Sequence, residues 1–343
     1  MEEGPVTTTP EVRGAWVDGA WALVLAGGEG SRLQALTTAP NGVVVPKQFC
    51  SLRRGPSLLT QALVRAGSVA PTIQICAVVA VQHRWWWESP LSTLPRENVF
   101  VQPENRGTAH AVLLSLLRLE ARDPRAIILM LPSGHHIQNE ALFARSLRQL
   151  AELAGRNEDS VFMLGADPDR ADTELGYIVP ADRARHRPRR VQSFIEKPDF
   201  VRARSLLKAG ALWNMFTIAG SVRALLGLYD PSHAASMALL RTAISRKKPH
   251  TIDNEILADV YRRLPSLDFS RHVLEPKAAG LQVLGVPPCG WNDLRTPKRV
   301  VDTLLKIPDQ TSRIDALLLP SAALSLADQY GRLSLDKDWT LHC

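Results

Sequence analysis

The run Trp21-Ala22-Leu23-Val24-Leu25-Ala26-Gly27-Gly28-Glu29-Gly30-Ser31-Arg32-Leu33 passes without a break from apolar residues into a glycine-rich loop closed by an arginine. A short continuous apolar segment such as 21–26 predicts a parallel strand covered on both faces. Gly27, Gly28 and Gly30 lack a Cβ, so the backbone can take positive φ and successive N–H groups can converge on phosphate oxygens. Arg32 adds a permanent positive charge with forked donors suited to phosphate. Taken alone, the same stretch is equally a tight turn that holds nothing. The mononucleotide P-loop is excluded because no Gly-Lys-Ser/Thr follows at the required spacing, and the dinucleotide fingerprint fails because its third glycine falls on Leu33. Pro46-Lys47-Gln48-Phe49 strengthens the phosphate reading by bringing a second cation soon after the loop.

Around this stretch the pattern alternates strand and helix. Ser57 to Val69 predicts a helix, Ile73 to Val81 and Val99 to Val101 predict strands, and Thr108 is placed to cap a helix running from Ala109 to Arg122. Ala126 to Leu131 is another apolar strand, Asn139 to Leu153 an amphipathic helix, and Val161 to Leu164 a further strand. Such alternation implies βαβ units in an α/β fold, with ligands bound beyond the carboxyl ends of the strands. Strands are also expected at Gly176 to Val179, Arg190 to Ile195, Leu212 to Ala219 and Leu281 to Val286, with Trp291 near a late return to the sheet. Helices are expected between Ser221 and Arg263 and from Lys298 to Ile307.

The chain has 343 residues, of which 45% are hydrophobic, enough for a substantial core. Residues 1–19 look like a flexible leader, 20–307 form the folded domain, and 308–343 are a C-terminal extension with no clear pattern. The net charge of +7 is spread along the chain, which favours a small polyanion over nucleic acid as the partner. Four cysteines with no C-x-x-C spacing indicate neither a zinc site nor a disulfide framework. With no signal peptide and no apolar run of membrane length, a cytoplasmic protein that makes no membrane contact is expected.

Several loops cluster chemistry. Gln102-Pro103-Glu104-Asn105-Arg106-Gly107-Thr108-Ala109 sets polar groups before a helix; Glu196-Lys197-Pro198 ends a strand; Leu212-Trp213-Asn214 lies on one; Gly176-Tyr177-Ile178 begins one; Gly290-Trp291-Asn292-Asp293 comes late. Each has a plain structural reading as a turn, a cap or a solvated strand end. The adjacent Trp85, Trp86 and Trp87 would diverge around a helix, so core packing or a contact between copies in a homo-oligomer accounts for them better than a ligand platform.

Together, and in this order, these motifs resemble the sugar-1-phosphate nucleotidylyltransferases, and within them the mannose-1-phosphate guanylyltransferase branch. The resemblance implies a Rossmann-like nucleotidylyltransferase fold whose mixed, mostly parallel sheet is flanked by helices. It implies that a nucleoside triphosphate, GTP, and a hexose-1-phosphate, mannose-1-phosphate, give GDP-mannose and pyrophosphate with Mg²⁺ as cofactor. By the same resemblance Leu25, Ala26, Gly27, Gly28, Gly30, Ser31, Gln102, Glu104, Asn105, Gly107 and Thr108 hold the nucleotide. Gly176, Tyr177, Glu196 and Asn214 hold the sugar, Arg32, Lys47 and Lys197 neutralise phosphates, and Asp293 holds the metal.

The chain departs from the pattern in Leu131-Pro132-Ser133-Gly134-His135-His136. The family carries L-P-S-D-H or L-P-A-D-H there, and its aspartate is the other carboxylate on the metal. Three outcomes stay open: Asp293 and the phosphates hold magnesium alone, His135 or His136 substitutes, or the site binds without turnover. Imidazole is a poor match for magnesium. The alternative function is therefore a weakened homologue that binds a nucleotide-sugar as a sensor or a partner subunit.

Overall fold

The computed structural model describes residues 16–38, 42–52, 55–184, 187–229, 231–244 and 252–306. In chain order the strands are β1 (Ala20–Leu25), β2 (Ile75–Ala80), β3 (Val99–Gln102), β4 (Ile127–Pro132), β5 (His135–His136), β6 (Val161–Ala166), β7 (Gly176–Pro180), β8 (Arg189–Glu196), β9 (Leu212–Ser221), β10 (Leu281–Gly285) and β11 (Asn292–Asp293). The helices are α1 (Gln34–Thr37), α2 (Leu58–Gly67), α3 (Arg84–Trp87), α4 (Thr108–Arg122), α5 (Glu140–Arg156), α6 (Phe200–Lys208), α7 (Val222–Gly227), α8 (Ala234–Ala243), α9 (Asn254–Arg263) and α10 (Pro297–Leu305).

Nine strands form one sheet in the order β3-β2-β1-β4-β9-β6-β10-β8-β7. β1 is parallel to β2 and β4, β3 to β2, and β10 to β6, whereas β9 and β8 run against their neighbours. The sheet is thus mixed, with only β8 and β9 reversed. Side chains of β1 alternate between two cores. Trp21 and Leu23 join the layer containing α4, α7, α8 and α9, while Ala20, Ala22 and Val24 join the layer containing α2 and α5. Burial on both faces is why this strand carries no polar residue.

Helix starts follow local capping chemistry. The Ser57 side chain accepts from the N–H of Thr60, Asn139 from Leu142 and Asp199 from Arg202, each satisfying a first-turn donor. The cap expected from Thr108 is corrected: Gly107 occupies the cap position and Thr108 is the first helical residue. The Thr108 hydroxyl instead accepts from the N–H of Phe269, 2.9 Å away, and so ties α4 to the segment after α9.

Two further expectations change. The segment at Trp291 does not rejoin the main sheet: β11 pairs antiparallel with β5 in a separate two-stranded ribbon. Of the predicted leader, residues 16–19 are fastened down, since the N–H of Val17 donates to the Val69 carbonyl (3.0 Å) and the Trp16 indole to that of Gly67 (3.2 Å). Residues 1–15 and 307–343, including most of the leader and the C-terminal extension, lie outside the described residues. Trp85, Trp86 and Trp87 diverge as expected: Trp87 is buried and donates to the Ala80 carbonyl, whereas Trp85 is 85% exposed. Among the described residues no helix is long and apolar enough to cross a membrane.

Candidate active site

β1 lies between β2 and β4, so the chain leaves it in one direction and returns on the other side, which opens a crevice at the strands' carboxyl ends. A cavity of about 450 Å³ occupies that crevice. Leu25, Gly27 and Gly28 line it from the end of β1, Gln102, Asn105, Gly107 and Thr108 from the β3–α4 turn, and Ser133, Gly134 and His135 from the end of β4. A second cavity of about 270 Å³ adjoins it, lined by Gly30, Ser31, Arg32, Leu33, Lys47 and Arg295.

The turn geometry depends on two glycines. Gly30 has φ +64°, and a Cβ there would lie 2.9 Å from the Lys47 nitrogen. Gly107 has φ +83°, and a Cβ there would fall 2.2 Å from the Leu267 carbonyl oxygen. That carbonyl accepts from the N–H of Ala109, and the N–H of Leu267 donates to the Arg106 carbonyl. The contact brings Ser266, Leu267 and Asp268 onto the cavity wall.

At the floor of the cavity Asp293, fully buried, meets three groups. The Lys47 ammonium lies 3.3 Å from its Oδ1, Arg295 Nε contacts its Oδ2 closely, and His135 Nε2 is 3.6 Å from Oδ2. Burial alone would raise the Asp293 pKa, but Arg295, Lys47 and His135 outweigh it and hold the carboxyl well below the usual range. Burial pushes the Lys47 ammonium down, although Asp293 opposes the shift. Asp293 pushes the Arg295 guanidinium up. Lys47 also donates to the carbonyls of Leu294 (3.0 Å) and Gly134 (3.4 Å). Burial lowers the pKa of His135, favouring the neutral ring. Its Nδ1 lies 3.0 Å from the Trp291 indole N–H, which can only donate, so the ring proton sits on Nε2 and faces Asp293.

Of the four proposed charged groups, Lys47 and Asp293 are in direct contact, and Arg32 stands on the adjoining cavity, paired with Glu174 at 2.6 Å. Lys197 lines neither cavity; it pairs with Glu196 at 3.1 Å and has φ +51°, a strained turn for a residue with a side chain. Arg295 connects this pair to the floor, since its charge acts on Glu196 as well as Asp293. Gly176 lies opposite Glu196 in the β7–β8 register, and a Cβ on it would come 2.5 Å from Glu196 Oε2 and 3.4 Å from Asn214 Cβ. The Asn214 side-chain carbonyl oxygen accepts from the N–H of Phe216.

Three of the expected contact residues have groups engaged within the protein. The Tyr177 side chain is fully buried in a satellite core, with its hydroxyl accepting from the Asp172 N–H. Ala26 is spent on the core: its N–H donates to Val78 and its carbonyl accepts from Gln48. Glu104 forms an ion pair with Arg106.

Several residues were not anticipated from the sequence. Gln48 Nε2 donates to the carbonyls of Ala26 and Gly28, holding the glycine loop from beneath. The Phe216 ring lines the cavity because a register shift in the β6–β9 pairing gives this residue φ +51°. Arg295 carries a sequence signal: in the resembled family the segment matching Trp291-Asn292-Asp293-Leu294-Arg295 reads W-S-D-V/L-G, so an arginine stands here in place of glycine.

The family model described as Nucleotidyl transferase matches residues 21–310, a span that takes in the glycine loop, both cavities and the Asp293 cluster. The chain belongs to this nucleotidyl transferase family. The alginate biosynthesis protein AlgA of Pseudomonas aeruginosa is 32% identical over 200 residues, covering 56% of this chain and 40% of that protein. A mannose-1-phosphate guanylyltransferase of Escherichia coli is 30% identical over 200 residues, covering 56% of this chain and 41% of that protein. The aligned part is about two fifths of the length of these curated relatives. A crystal structure described as a mannose-1-phosphate geranyltransferase from Thermus thermophilus superposes with a TM-score of 0.70 at 26% identity, covering 84% of this chain and 80% of that one.

Nucleotidyl transferases of this family generally use a divalent metal. The donor set here does not fit one. Magnesium requires hard oxygen ligands in near-octahedral array. Both Asp293 oxygens already face cations or a ring N–H, Asp268 on the cavity wall accepts from the N–H of Arg271, residue 134 supplies no side chain, and His135 presents a proton where a ligand would need a lone pair. Among the described residues no group of three or more His, Cys, Asp or Glu is arranged to hold a metal ion.

Proposed function

We propose that the chain transfers a nucleotidyl group from a nucleoside triphosphate to a hexose-1-phosphate, with GTP and mannose-1-phosphate as the pair. An anionic oxygen of the sugar phosphate attacks the α-phosphorus and a new P–O bond forms. The bond from the α-phosphorus to the bridging oxygen of the β-phosphate breaks, and pyrophosphate leaves with the electron pair. No proton has to move, so the protein's task is in-line positioning and charge neutralisation.

The observation that carries this reading is a pair of adjoining cavities that share Lys47 and Arg295, with a backbone-rich glycine loop along one wall and the Lys47–Asp293–Arg295 cluster between them. Gly27, Gly28 and Gly30 would line the nucleotide and its phosphates, and Gln102, Asn105 and Thr108 would face the base and ribose. Lys47 and Arg32 would take the leaving pyrophosphate, while Lys197 and Glu196 would hold the sugar phosphate and hydroxyls. Guanine and mannose rest on the relatives' names and the motif resemblance. Magnesium plays no part in this scheme, because the donor set does not suit it. The compartment that goes with this reading is the cytoplasm.

A second reading follows from Gly134: a nucleotide-sugar binder with little turnover, acting as a sensor or a partner subunit. Pyrophosphate release, measured for the four common triphosphates against several hexose-1-phosphates, separates the two. Release with GTP and mannose-1-phosphate above every other pair supports the transferase. Tight GDP-mannose binding without release from any pair supports the binder.

A further inference from the structure

We propose that Lys47 and Arg295 take the place of a divalent cation, so that this chain holds its polyphosphate by protein cations alone. The inference rests on the reading of the cleft as a triphosphate site. Three independent observations support it.

The first is spatial. A Cβ built on Gly134 would lie 2.5 Å from Cε and 2.8 Å from Nζ of Lys47, so the lysine tip fills the space into which a side chain at 134 would project. The second is a charge count. Against the L-P-S-D-H and W-S-D-V/L-G patterns this chain loses a negative charge at Gly134 and gains a positive charge at Arg295. The two changes together add +2, the charge of one divalent ion, beside Asp293, while Glu196 and the wall residue Asp268 also act on Arg295. The third is position. Among the described residues Lys47 and Arg295 are the only ones that line both cavities, where a chain of phosphates passing from one to the other would cross.

The chemistry is sufficient in principle. Developing charge in phosphoryl transfer is stabilised by any preorganised cation in a dry site, and lysine and arginine do this without leaving the protein. Arg295 has five donors, and its bonds to Asp293 and the Glu174 carbonyl consume two of them. Asp293 then acts as a positioning residue that fixes the two cations at one spacing.

The test is GTP binding by the full chain, measured calorimetrically in EDTA and in excess Mg²⁺, with Mn²⁺ alone followed by electron paramagnetic resonance. Affinity within about threefold in the two conditions, with the Mn²⁺ signal remaining that of the free ion, is the expected result. Arg295→Gly should weaken binding in EDTA at least tenfold, and Arg295→Gly combined with Gly134→Asp should bind GTP only with Mg²⁺. Arg295→Lys, which keeps the charge, should retain most of the affinity. Wild-type binding that is lost in EDTA and restored by Mg²⁺ overturns the inference and leaves the nucleotide site standing. Absence of GTP binding in both conditions overturns the inference and the transferase reading together.

Discussion

The Nζ atom of Lys47 stands 2.8 Å from where a Cβ on Gly134 would lie, closer than real Cβ contacts come. Any side chain at 134 must therefore displace the lysine tip, which now contacts Asp293 and the Leu294 carbonyl. Gly134→Asp also supplies a competing carboxylate for the ammonium. With Arg295 still in place, the substitution should lower pyrophosphate release from GTP and mannose-1-phosphate by at least about tenfold, the scale of losing a preorganised electrostatic contact. A rate that rises in Mg²⁺ with the single substitution would instead identify a site that has merely lost a metal ligand.

Gly107 offers a test of the cavity wall. Alanine there meets φ +83° and the Leu267 carbonyl oxygen 2.2 Å from its Cβ. The left-handed conformation costs about 1–3 kcal/mol for a residue with a side chain, before the Leu267 segment of the wall is displaced. Gly107→Ala should lower the unfolding free energy read from urea denaturation by an amount in or above that range and weaken GTP binding. A variant as stable as the parent, with unchanged affinity, would show that the turn does not depend on this contact.

The sheet was legible because its strands are apolar on both faces and the loops after them carry glycine, proline and charge. β1, β2, β4, β6, β9 and β10 fall within two residues or so of the expected bounds. The direction of β9 was not legible, since an apolar run looks alike in either direction. Of the site, Lys47 and Asp293 could be paired by motif, but the Arg295 contact arises between residues two apart on a turn, which periodicity does not reveal. The burial of the Tyr177 ring was not legible, because a G-Y-I turn shows neither which way the ring points nor that its hydroxyl accepts from the Asp172 N–H. Phe216 entered the cavity through a register shift, and such irregularities leave no trace in a strand dominated by apolar and small residues.

Glu196 gives the pH dependence. Burial raises its pKa above the ordinary carboxylate value, with Lys197 pulling in the opposite direction. A raised folded pKa means that the native chain binds this proton more readily than the unfolded chain. The stabilisation linked to it is therefore present at low pH and lost as pH rises from the ordinary value through the raised one. In the proposed role of Glu196, sugar recognition would run the other way, because the ionised carboxylate offers free acceptors on both oxygens to sugar hydroxyls. The apparent KM for mannose-1-phosphate should rise as pH falls, beginning above the pH at which an exposed glutamate titrates. Glu196→Gln should have a higher KM and lack that limb of the profile; an unchanged limb would assign it to another group.

Asp293 compensates two cations on a floor that is nearly closed to water, with Lys47 and Arg295 on its separate oxygens. Replacing one partner of a buried pair costs about 3–5 kcal/mol because the charges left behind are neither solvated nor paired. Asp293→Asn keeps the shape and removes the charge, so it should lower stability by an amount of that order and raise its dependence on added anions. Pyrophosphate in the buffer supplies the missing negative charge and should stabilise the variant by a larger shift in thermal midpoint than it gives the parent. Chloride at equal ionic strength should not reproduce the effect, because it cannot bridge Lys47 and Arg295 through several oxygens. If Asp293→Asn is as stable as the parent and pyrophosphate stabilises both equally, the carboxylate is not what holds the two cations in position.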